Sequence, residues 1–163
     1  MTRVTIQEGY APGCIGRIAQ LHASYYSRSN GFGAPFEAKV AQELGAFCLD
    51  YKPGRDGLWL AVGSSIEGSI AIDGSGGTDH GAHLRWFITS DACRGQGIGK
   101  LLLARALDFA DGAHYKQVHL WTFAGLAAAR HLYEAHGFKL VEERPGATWG
   151  PVVLEQRFVC RVA

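Results

Sequence analysis

The sequence has almost no excess of either charge, and this excludes some classes of partner. Its 16 lysines and arginines balance 15 aspartates and glutamates, which leaves a net charge of +1 at neutral pH. Proteins that bind nucleic acid or acidic membranes through general electrostatics need a clear basic surplus. We therefore expect neither nucleic acid nor a membrane among the partners of this protein.

Long apolar segments are also missing. No run approaches the roughly 20 residues that a membrane-spanning helix needs, and the opening MTRVTIQEGY lacks the apolar stretch of a signal peptide. The sequence therefore predicts a cytoplasmic protein. Hydrophobic residues still make up 47% of the 163 positions, which is enough for the core of one domain spanning residues 1–163.

Cysteine and histidine are few and poorly spaced for a metal. The four cysteines are Cys14, Cys48, Cys93 and Cys160, with no CxxC pair, and the seven histidines are scattered. This pattern predicts reduced thiols and no metal site. Cys93 precedes a glycine-rich loop and is the best placed nucleophile, but the sequence assigns it no histidine or acidic partner, so we expect no covalent role.

Turn residues divide the chain into short strands and amphipathic helices. Apolar spacing predicts helices over residues 13–27, from about 35 to 51, 97–110 and 125–136. It predicts strands over residues 4–6, 58–62, 66–72, 82–89, 118–123, 138–143 and 152–162. Gly112 is expected to cap the third helix, and Pro145-Gly146 to form the last turn. The order β-α-α-β-β-β-α-β-α-β-β predicts a mixed α/β sheet with one parallel crossover.

Glycine is abundant, and its most informative cluster lies between a predicted strand and a helix. This loop consists of Arg94, Gly95, Gln96, Gly97, Ile98, Gly99 and Lys100. Glycines let the backbone approach a ligand, and the helix that follows adds unpaired N–H groups and a positive dipole end. The loop therefore suits a phosphate or pyrophosphate, although a tight turn without a ligand is the alternative interpretation.

Two familiar phosphate-binding loops do not fit this segment. A dinucleotide fingerprint requires glycine where the chain has Lys100. A P-loop requires serine or threonine where the chain has Leu101. Neither familiar phosphate-binding loop therefore accounts for this segment, and the interpretation as a tight turn stays open.

The residues around this loop resemble the GNAT superfamily of acetyl-CoA-dependent N-acetyltransferases. Residues 84–102 are similar to the strand, pyrophosphate loop and first helix residues of that family. Residues 129–138 are similar to the second signature of that family. This signature consists of a small residue, then Leu-Tyr-Glu, and then Gly-Phe at the start of the next strand. The resemblance implies a GNAT fold, a mixed and mostly antiparallel sheet flanked by helices with a central strand-loop-helix pyrophosphate site.

Within the superfamily, the sequence resembles the acetyltransferase domain that is fused to MarR-type regulators. The similar segments are residues 86–88, 120–123 and 155–158. The sequence shows no DNA-binding domain, so regulation by direct DNA contact is not implied. Whether a separate regulator partner exists stays open.

The resemblance also assigns a cofactor and the residues that hold it. It implies acetyl-CoA as co-substrate, with its pyrophosphate on residues 94–100, chiefly on the N–H groups of Gln96, Gly97 and Gly99. The backbone groups of residues Phe87, Ile88 and Thr89 would pair with the pantetheine arm as an added strand. Many relatives carry asparagine where this chain has Leu126, so pantetheine contacts from that position are not implied.

Acyl transfer needs a neutral amine beside the thioester and a proton for the departing thiolate. The resemblance implies Tyr133 as the proton donor, and a core aromatic is the alternative role for this residue. The base that deprotonates the amine is left open. Its candidates are Glu37, Asp73, His83, Glu155 and water.

We therefore expect an N-acetyltransferase that acts by direct attack on a primary amine of a small molecule or a protein. A non-catalytic acyl-CoA sensor and an unrelated nucleotide-binding module are the alternatives. The aromatic residues near the first two helices could contact an amine, although core packing is expected for at least two of them; they are Tyr25, Tyr26, Phe32 and Phe36. A homodimer is left open, with pairing through the valine-rich C-terminal strand.

Overall fold

The structure, a computed structural model, describes residues 3–77 and 81–162. Its strands are β1 (Thr5–Glu8), β2 (Gly57–Val62), β3 (Ile66–Asp73), β4 (Ala82–Thr89), β5 (Gln117–Phe123), β6 (Lys139–Gly146) and β7 (Val153–Arg161). Its helices are α1 (Cys14–Asn30), α2 (Ala34–Leu49), α3 (Ile98–Gly112) and α4 (Ala127–Ala135). The predicted order of strands and helices is confirmed.

The described strands form one sheet in the order β1-β2-β3-β4-β5-β7-β6. Only β4 and β5 run parallel, and all the other neighbours are antiparallel. Strand β7 lies between β5 and β6, so both of its edges are already paired. The sequence left open a pairing of the C-terminal strand across a dimer, through Val152, Val153 and Val159; β7 does not offer a free edge for it, because its backbone groups are used within the chain.

Each face of the sheet has its own apolar core. On one face, α1 and α2 contribute side chains at helical spacing, including Ile18, Leu44 and Phe47. On the other face, α3 presents Leu102 and Leu103, which pack against residues of the sheet. Each fully buried side chain of this size stabilises the fold by about 1.5–3 kcal/mol. The two cores fix the sheet between the helix pairs.

The structure corrects two predicted turns. Gly112 is the last residue of α3 and not its cap; Ala113 follows it, and His114 adopts the left-handed conformation with φ 67°. Pro145 and Gly146 belong to β6, where they lie opposite Leu154 and Val153. Proline is tolerated there because β6 is an edge strand, and its missing N–H costs no internal hydrogen bond.

The feature of the fold that matters most is a gap between its two parallel strands. Strands β4 and β5 are paired only at Ala82↔Val118 and His83↔His119. Beyond these pairs, β5 continues alongside β7 as far as Phe123. The second edge of β4 is therefore open over most of its length.

No helix in the described ranges is both long enough and apolar enough to cross a bilayer.

Candidate active site

The gap between β4 and β5 opens into a cavity of about 330 Å³. The cavity extends from α1 and α2, past the two strands, to α4 and the β6–β7 hairpin. Aromatic side chains line much of it, including Tyr26, Phe36, Trp86, Phe87, Trp121, Phe123, Tyr133 and Trp149. Its ionisable lining residues are His22, Lys39, Glu43, His83, Arg85, Arg144 and Glu155.

A bulge in β4 determines which side chains reach the cavity. Ser69 lies opposite Ile88 and Ala71 opposite Arg85, so β4 holds one more residue than β3 in this interval. Trp86 adopts φ 49°, which is uncommon for a residue other than glycine. The Ser69 hydroxyl donates a 2.6 Å hydrogen bond to the Trp86 carbonyl and holds this conformation in place.

The bulge sends neighbouring side chains to different faces of the sheet. Trp86 packs against Phe47 on the α1/α2 face, with ring centroids 5.3 Å apart. Phe87 packs on the opposite face, 6.0 Å from the ring of Tyr133. The guanidinium of Arg85 lies 4.2 Å from the Trp86 ring centroid. A regular strand would alternate these positions and leave Trp86 away from α2.

The open edge of β4 presents specific backbone groups to the gap. The Ser90 N–H donates to the Glu67 carbonyl at 2.7 Å, so the backbone of Ser90 faces β3. Because the hydrogen-bonding groups of successive residues in a strand point to opposite edges, Ile88 also faces β3. Phe87 and Thr89 therefore present their N–H and C=O groups to the gap. Only these two of the three predicted residues are directed there.

The glycine-rich loop follows β4 through a short 3₁₀ turn, Asp91–Cys93. Gly95 and Gly97 have φ 77° and 67°, and a Cβ at either position would meet no other atom within 4 Å. The Leu101 N–H makes the first bond of α3, to the Gly97 carbonyl. The N–H groups of residues 98–100 therefore have no partner within the helix.

Two polar residues of the loop have partners in the turn before it. The Gln96 N–H donates to the Cys93 carbonyl at 3.3 Å, so it is directed into the turn and away from the helix start. The Arg94 guanidinium lies 2.7 Å from the Asp91 carboxylate, and both side chains are over 80% exposed. Such an exposed pair contributes little to stability, so Arg94 is available to a ligand.

Tyr133 fits both of its predicted roles at once. Its ring is 7% exposed and packs against Phe87, Phe138 and Phe158. It also borders the cavity, and its hydroxyl makes no hydrogen bond to any described residue. Burial raises the pKa of Tyr133 well above its ordinary value, and the nearby Tyr26 adds to this effect. The phenol therefore keeps its proton at physiological pH.

The structure separates the four candidate bases. His83 and Glu155 line the cavity, whereas Glu37 lies exposed in the first turn of α2. Asp73 is engaged by Arg85 at 3.3 Å and does not border the cavity. Burial lowers the pKa of His83 to about 3, and the charge of Arg85 adds to this effect.

Glu155 is a buried carboxylate held by the β6–β7 hairpin. One of its oxygens accepts a 2.9 Å hydrogen bond from the Thr148 N–H, and the other lies 3.8 Å from Arg144. Burial opposes ionisation, but these contacts outweigh it and hold the pKa of Glu155 below its ordinary value. A Cβ on Gly146 would lie 2.5 Å from this carboxylate, so glycine is what makes room for it.

The predicted aromatic contacts divide as expected. Phe32 and Phe36 are 3% and 6% exposed and belong to the core between α1, α2 and the sheet. Phe36 and Tyr26 also border the cavity, while Tyr25 is 45% exposed. Core packing of at least two of these residues is confirmed.

Sequence reasoning missed several cavity residues. These are His22, Lys39, Glu43, Arg85, Arg144 and Trp149. The two α2 residues, Lys39 and Glu43, form an i,i+4 pair at 2.6 Å, and Glu43 also binds Arg85. The i,i+4 spacing was visible in the sequence, but its pairing with β4 depends on the tertiary fold.

The position of Cys93 does not favour a nucleophilic role. Cys93 is 5% exposed, does not border the cavity, and donates a weak 3.5 Å bond to the Glu67 carbonyl. Burial raises the pKa of its thiol, which disfavours the reactive thiolate. Residues 3–77 and 81–162 contain no cluster of three or more metal-binding side chains, and His80 lies outside the described residues.

Comparison with known proteins identifies related sequences. A family model described as an acetyltransferase (GNAT) domain matches residues 54–140. The chain is 35% identical over 106 residues to an N-acetylaspartate synthetase of Danio rerio, a stretch that covers 62% of this chain and 38% of that protein. It is 38% identical over 85 residues to the N-acetylaspartate synthetase of Xenopus tropicalis, covering 52% and 31%. The chain thus spans about a third of the length of these curated relatives.

Solved structures show the same fold at low sequence identity. A GNAT family acetyltransferase from Staphylococcus aureus Mu50 superimposes with a TM-score of 0.78 at 16% identity. The superposition covers 99% of this chain and 100% of the other. The mixed sheet of seven strands with four flanking helices is therefore the fold of these enzymes.

Proposed function

The chain belongs to the GNAT acetyltransferase family, and from this premise we propose that it acetylates a primary amine by direct attack on acetyl-CoA in a ternary complex. One observation carries the proposal. The unpaired edge of β4 begins at the cavity, where Phe87 lies 6.0 Å from the ring of Tyr133, and ends at Thr89, shortly before the glycine-rich loop. A cofactor with a phosphate end and a thioester end needs such an arrangement.

The cofactor's two ends suit different parts of the gap. The pyrophosphate would accept hydrogen bonds from the free N–H groups at the start of α3, aided by the helix dipole and by Arg94. The amide-rich pantetheine arm would pair with the backbone of Phe87 and Thr89 as an added strand. This arrangement brings the thioester to the cavity that Tyr133 borders.

Tyr133 would give its proton to the departing CoA thiolate as the amine attacks the thioester carbon. The C–N bond forms, the C–S bond breaks, and the phenolic proton ends on sulfur. The high pKa of Tyr133 guarantees that a proton is present. The same apolar surroundings would raise the pKa of the departing thiol. The pKa values of the phenol and the thiol would then stay close, so that the proton transfer costs little free energy.

Of the two candidate bases in the cavity, Glu155 is favoured over His83. The amine must lose a proton during acylation, and a carboxylate that is already ionised accepts it directly or through water. His83 is a poor acceptor because burial holds its pKa at about 3, and its neutral ring, which stacks on His119 with centroids 4.6 Å apart, lacks the negative charge with which Glu155 attracts an ammonium group. We therefore assign the proton-accepting role to Glu155.

The cavity volume and its aromatic walls favour a small acceptor over a folded protein. The curated relatives are named for N-acetylaspartate, which makes L-aspartate one amine to test. The three cavity cations, Lys39, Arg85 and Arg144, already face acidic partners in the structure. The acceptor is therefore left unnamed, and the cytoplasmic location, the single domain, a homodimer and the likeness to MarR-fused domains stay predictions.

Release of free thiol from acetyl-CoA tests the proposal. The panel should contain L-aspartate, spermidine, 2-phenylethylamine and Nα-acetyl-lysine, with acetyl-CoA alone as the control. An amine-dependent increase in thiol release, with the acetylated amine found by mass spectrometry, is the expected result. CoA binding without turnover on any amine would favour the sensor function, and competition by ATP would favour a nucleotide-binding module.

A further inference from the structure

The α1 side of the cavity holds a polar atom for which the fold supplies no partner. His22 is 7% exposed and borders the cavity. Its Nδ1 lies 2.8 Å from the Ile18 carbonyl oxygen. Because a carbonyl only accepts hydrogen bonds, Nδ1 carries the ring proton, and Nε2 of the neutral ring has a free lone pair. Nε2 makes no hydrogen bond to any described residue.

The surroundings of His22 keep its ring neutral and fix its orientation. Burial lowers the pKa of His22 to about 4, against the opposing effect of the bond to Ile18. The ring stacks on Tyr26, with centroids 6.4 Å apart and planes at 27°, and lies 6.5 Å from the ring of Phe36. His22 therefore offers a hydrogen-bond acceptor, and not a positive charge, to whatever occupies the cavity.

The cavity that His22 borders also contains the proposed proton donor. Tyr26, whose ring packs against His22, lines the same cavity as Tyr133. The Tyr26 hydroxyl also makes no hydrogen bond to a described residue, and burial raises its pKa to about 12. The His22 acceptor and the Tyr133 donor thus border one continuous space, next to the gap that would hold the thioester.

We propose that Nε2 of His22 accepts a hydrogen bond from the nitrogen of the acceptor amine and holds that nitrogen in front of the thioester. The inference rests on the proposed function and adds an acceptor-binding residue to it. Because Nε2 faces the cavity without a protein partner, a ligand N–H can pair with it, and one such hydrogen bond strengthens binding by up to about tenfold. An amine without an N–H directed at Nε2 gains nothing from this site.

A matched pair of variants tests the role. His22→Phe keeps a ring against Tyr26 and removes Nε2, whereas His22→Gln places a side-chain carbonyl near the position of Nε2. With the panel amine that gives the highest turnover, His22→Phe should raise the acceptor KM about tenfold, the loss expected for one buried hydrogen bond. The KM for acetyl-CoA should not change, and His22→Gln should recover part of the acceptor affinity.

A structural role would give a different result. Thermal unfolding of both variants reports any loss of packing, and a packing defect would affect both substrates. Equal acceptor KM values for the wild type and His22→Phe would overturn the inference. If the proposed function itself fails, no panel amine increases thiol release in the wild type, which is a distinct result.

A second measurement does not depend on turnover. Nitrogen-15 NMR of histidine-labelled protein, assigned by comparison with His22→Phe, should show a protonated Nδ1 and an unprotonated Nε2 at neutral pH. Titration with n-butylamine in the presence of CoA should shift the Nε2 signal. A protonated Nε2, or a signal that does not respond to saturating n-butylamine, would contradict the proposal.

Discussion

Acid should destabilise this protein through His22 before most carboxylates titrate. A histidine in the unfolded chain has a pKa near 6.5, whereas burial lowers the pKa of His22 to about 4. Between these two values the unfolded state binds a proton that the folded state does not. The free energy of unfolding therefore falls as the pH decreases through this window.

The size of the effect follows from the two pKa values. Each pH unit inside the window costs about 1.4 kcal/mol per group. At pH 5, His22 should thus lower the free energy of unfolding by about 2 kcal/mol relative to pH 8. This is a large part of the stability of a small domain, which is typically about 5–15 kcal/mol.

Urea unfolding at intervals from pH 5 to pH 8 measures this dependence. His22→Phe removes the titrating group, so the variant should lose about 2 kcal/mol less than the wild type over this range, whatever its stability at pH 8. His83 has a similarly low pKa and should contribute in the same direction, so His83→Phe is a parallel variant. Equal pH dependence in the wild type and His22→Phe would refute the reasoning.

The remaining predictions concern the catalytic cavity and the loop. Tyr133→Phe should lower kcat at least about tenfold with unchanged CoA affinity and melting temperature, and an unchanged rate with chemistry rate-limiting would leave Tyr133 a core residue. Gly97→Asn and Gly97→Asp both tolerate the left-handed conformation, so calorimetry should show CoA binding about tenfold weaker in the charged variant; equal affinities would move the pyrophosphate elsewhere. Glu155→Gln keeps the size of the side chain and removes its charge, so it should lower acceptor kcat/KM while sparing CoA binding, and unaffected kinetics would exclude Glu155 as the base. Cys93→Ala should turn over at the wild-type rate. A stoichiometric acetyl thioester on Cys93 of the wild type, detected by mass spectrometry, would contradict direct transfer.

Local patterns predicted the elements of this fold well, because they depend on neighbouring residues. The alternation over residues 82–89 and the apolar stripe of α3 each match an observed element. Gly112 and Pro145 were misread because each has a common local role that tertiary context overrode. His114 ends α3 in the left-handed conformation instead of a glycine, and an edge position in β6 accommodates the proline.

The candidate site was only partly predictable because it depends on long-range geometry. The loop and Tyr133 belong to contiguous motifs, so the resemblance located them. The bulge at Trp86 is defined by the register between β3 and β4. The periodicity of β4 alone does not reveal this register. His22 is an ordinary helix residue in the sequence, and only its burial and its bond to Ile18 mark it as an acceptor.

The narrow junction between β4 and β5 also has a consequence for how the molecule assembles. Two residue pairs join strands β1–β4 to the unit made of β5, β7 and β6. The longest ladder of β5 is with β7, which follows α4 and β6 in the chain. During synthesis, the backbone groups of β5 that pair with β7 stay unpaired until β7 has been made, whereas β1, β2 and β3 have all their sheet partners once β4 is complete. We expect the C-terminal unit to exchange its amide hydrogens faster than β2 and β3, and a strand-like cofactor bridging the gap to slow that exchange.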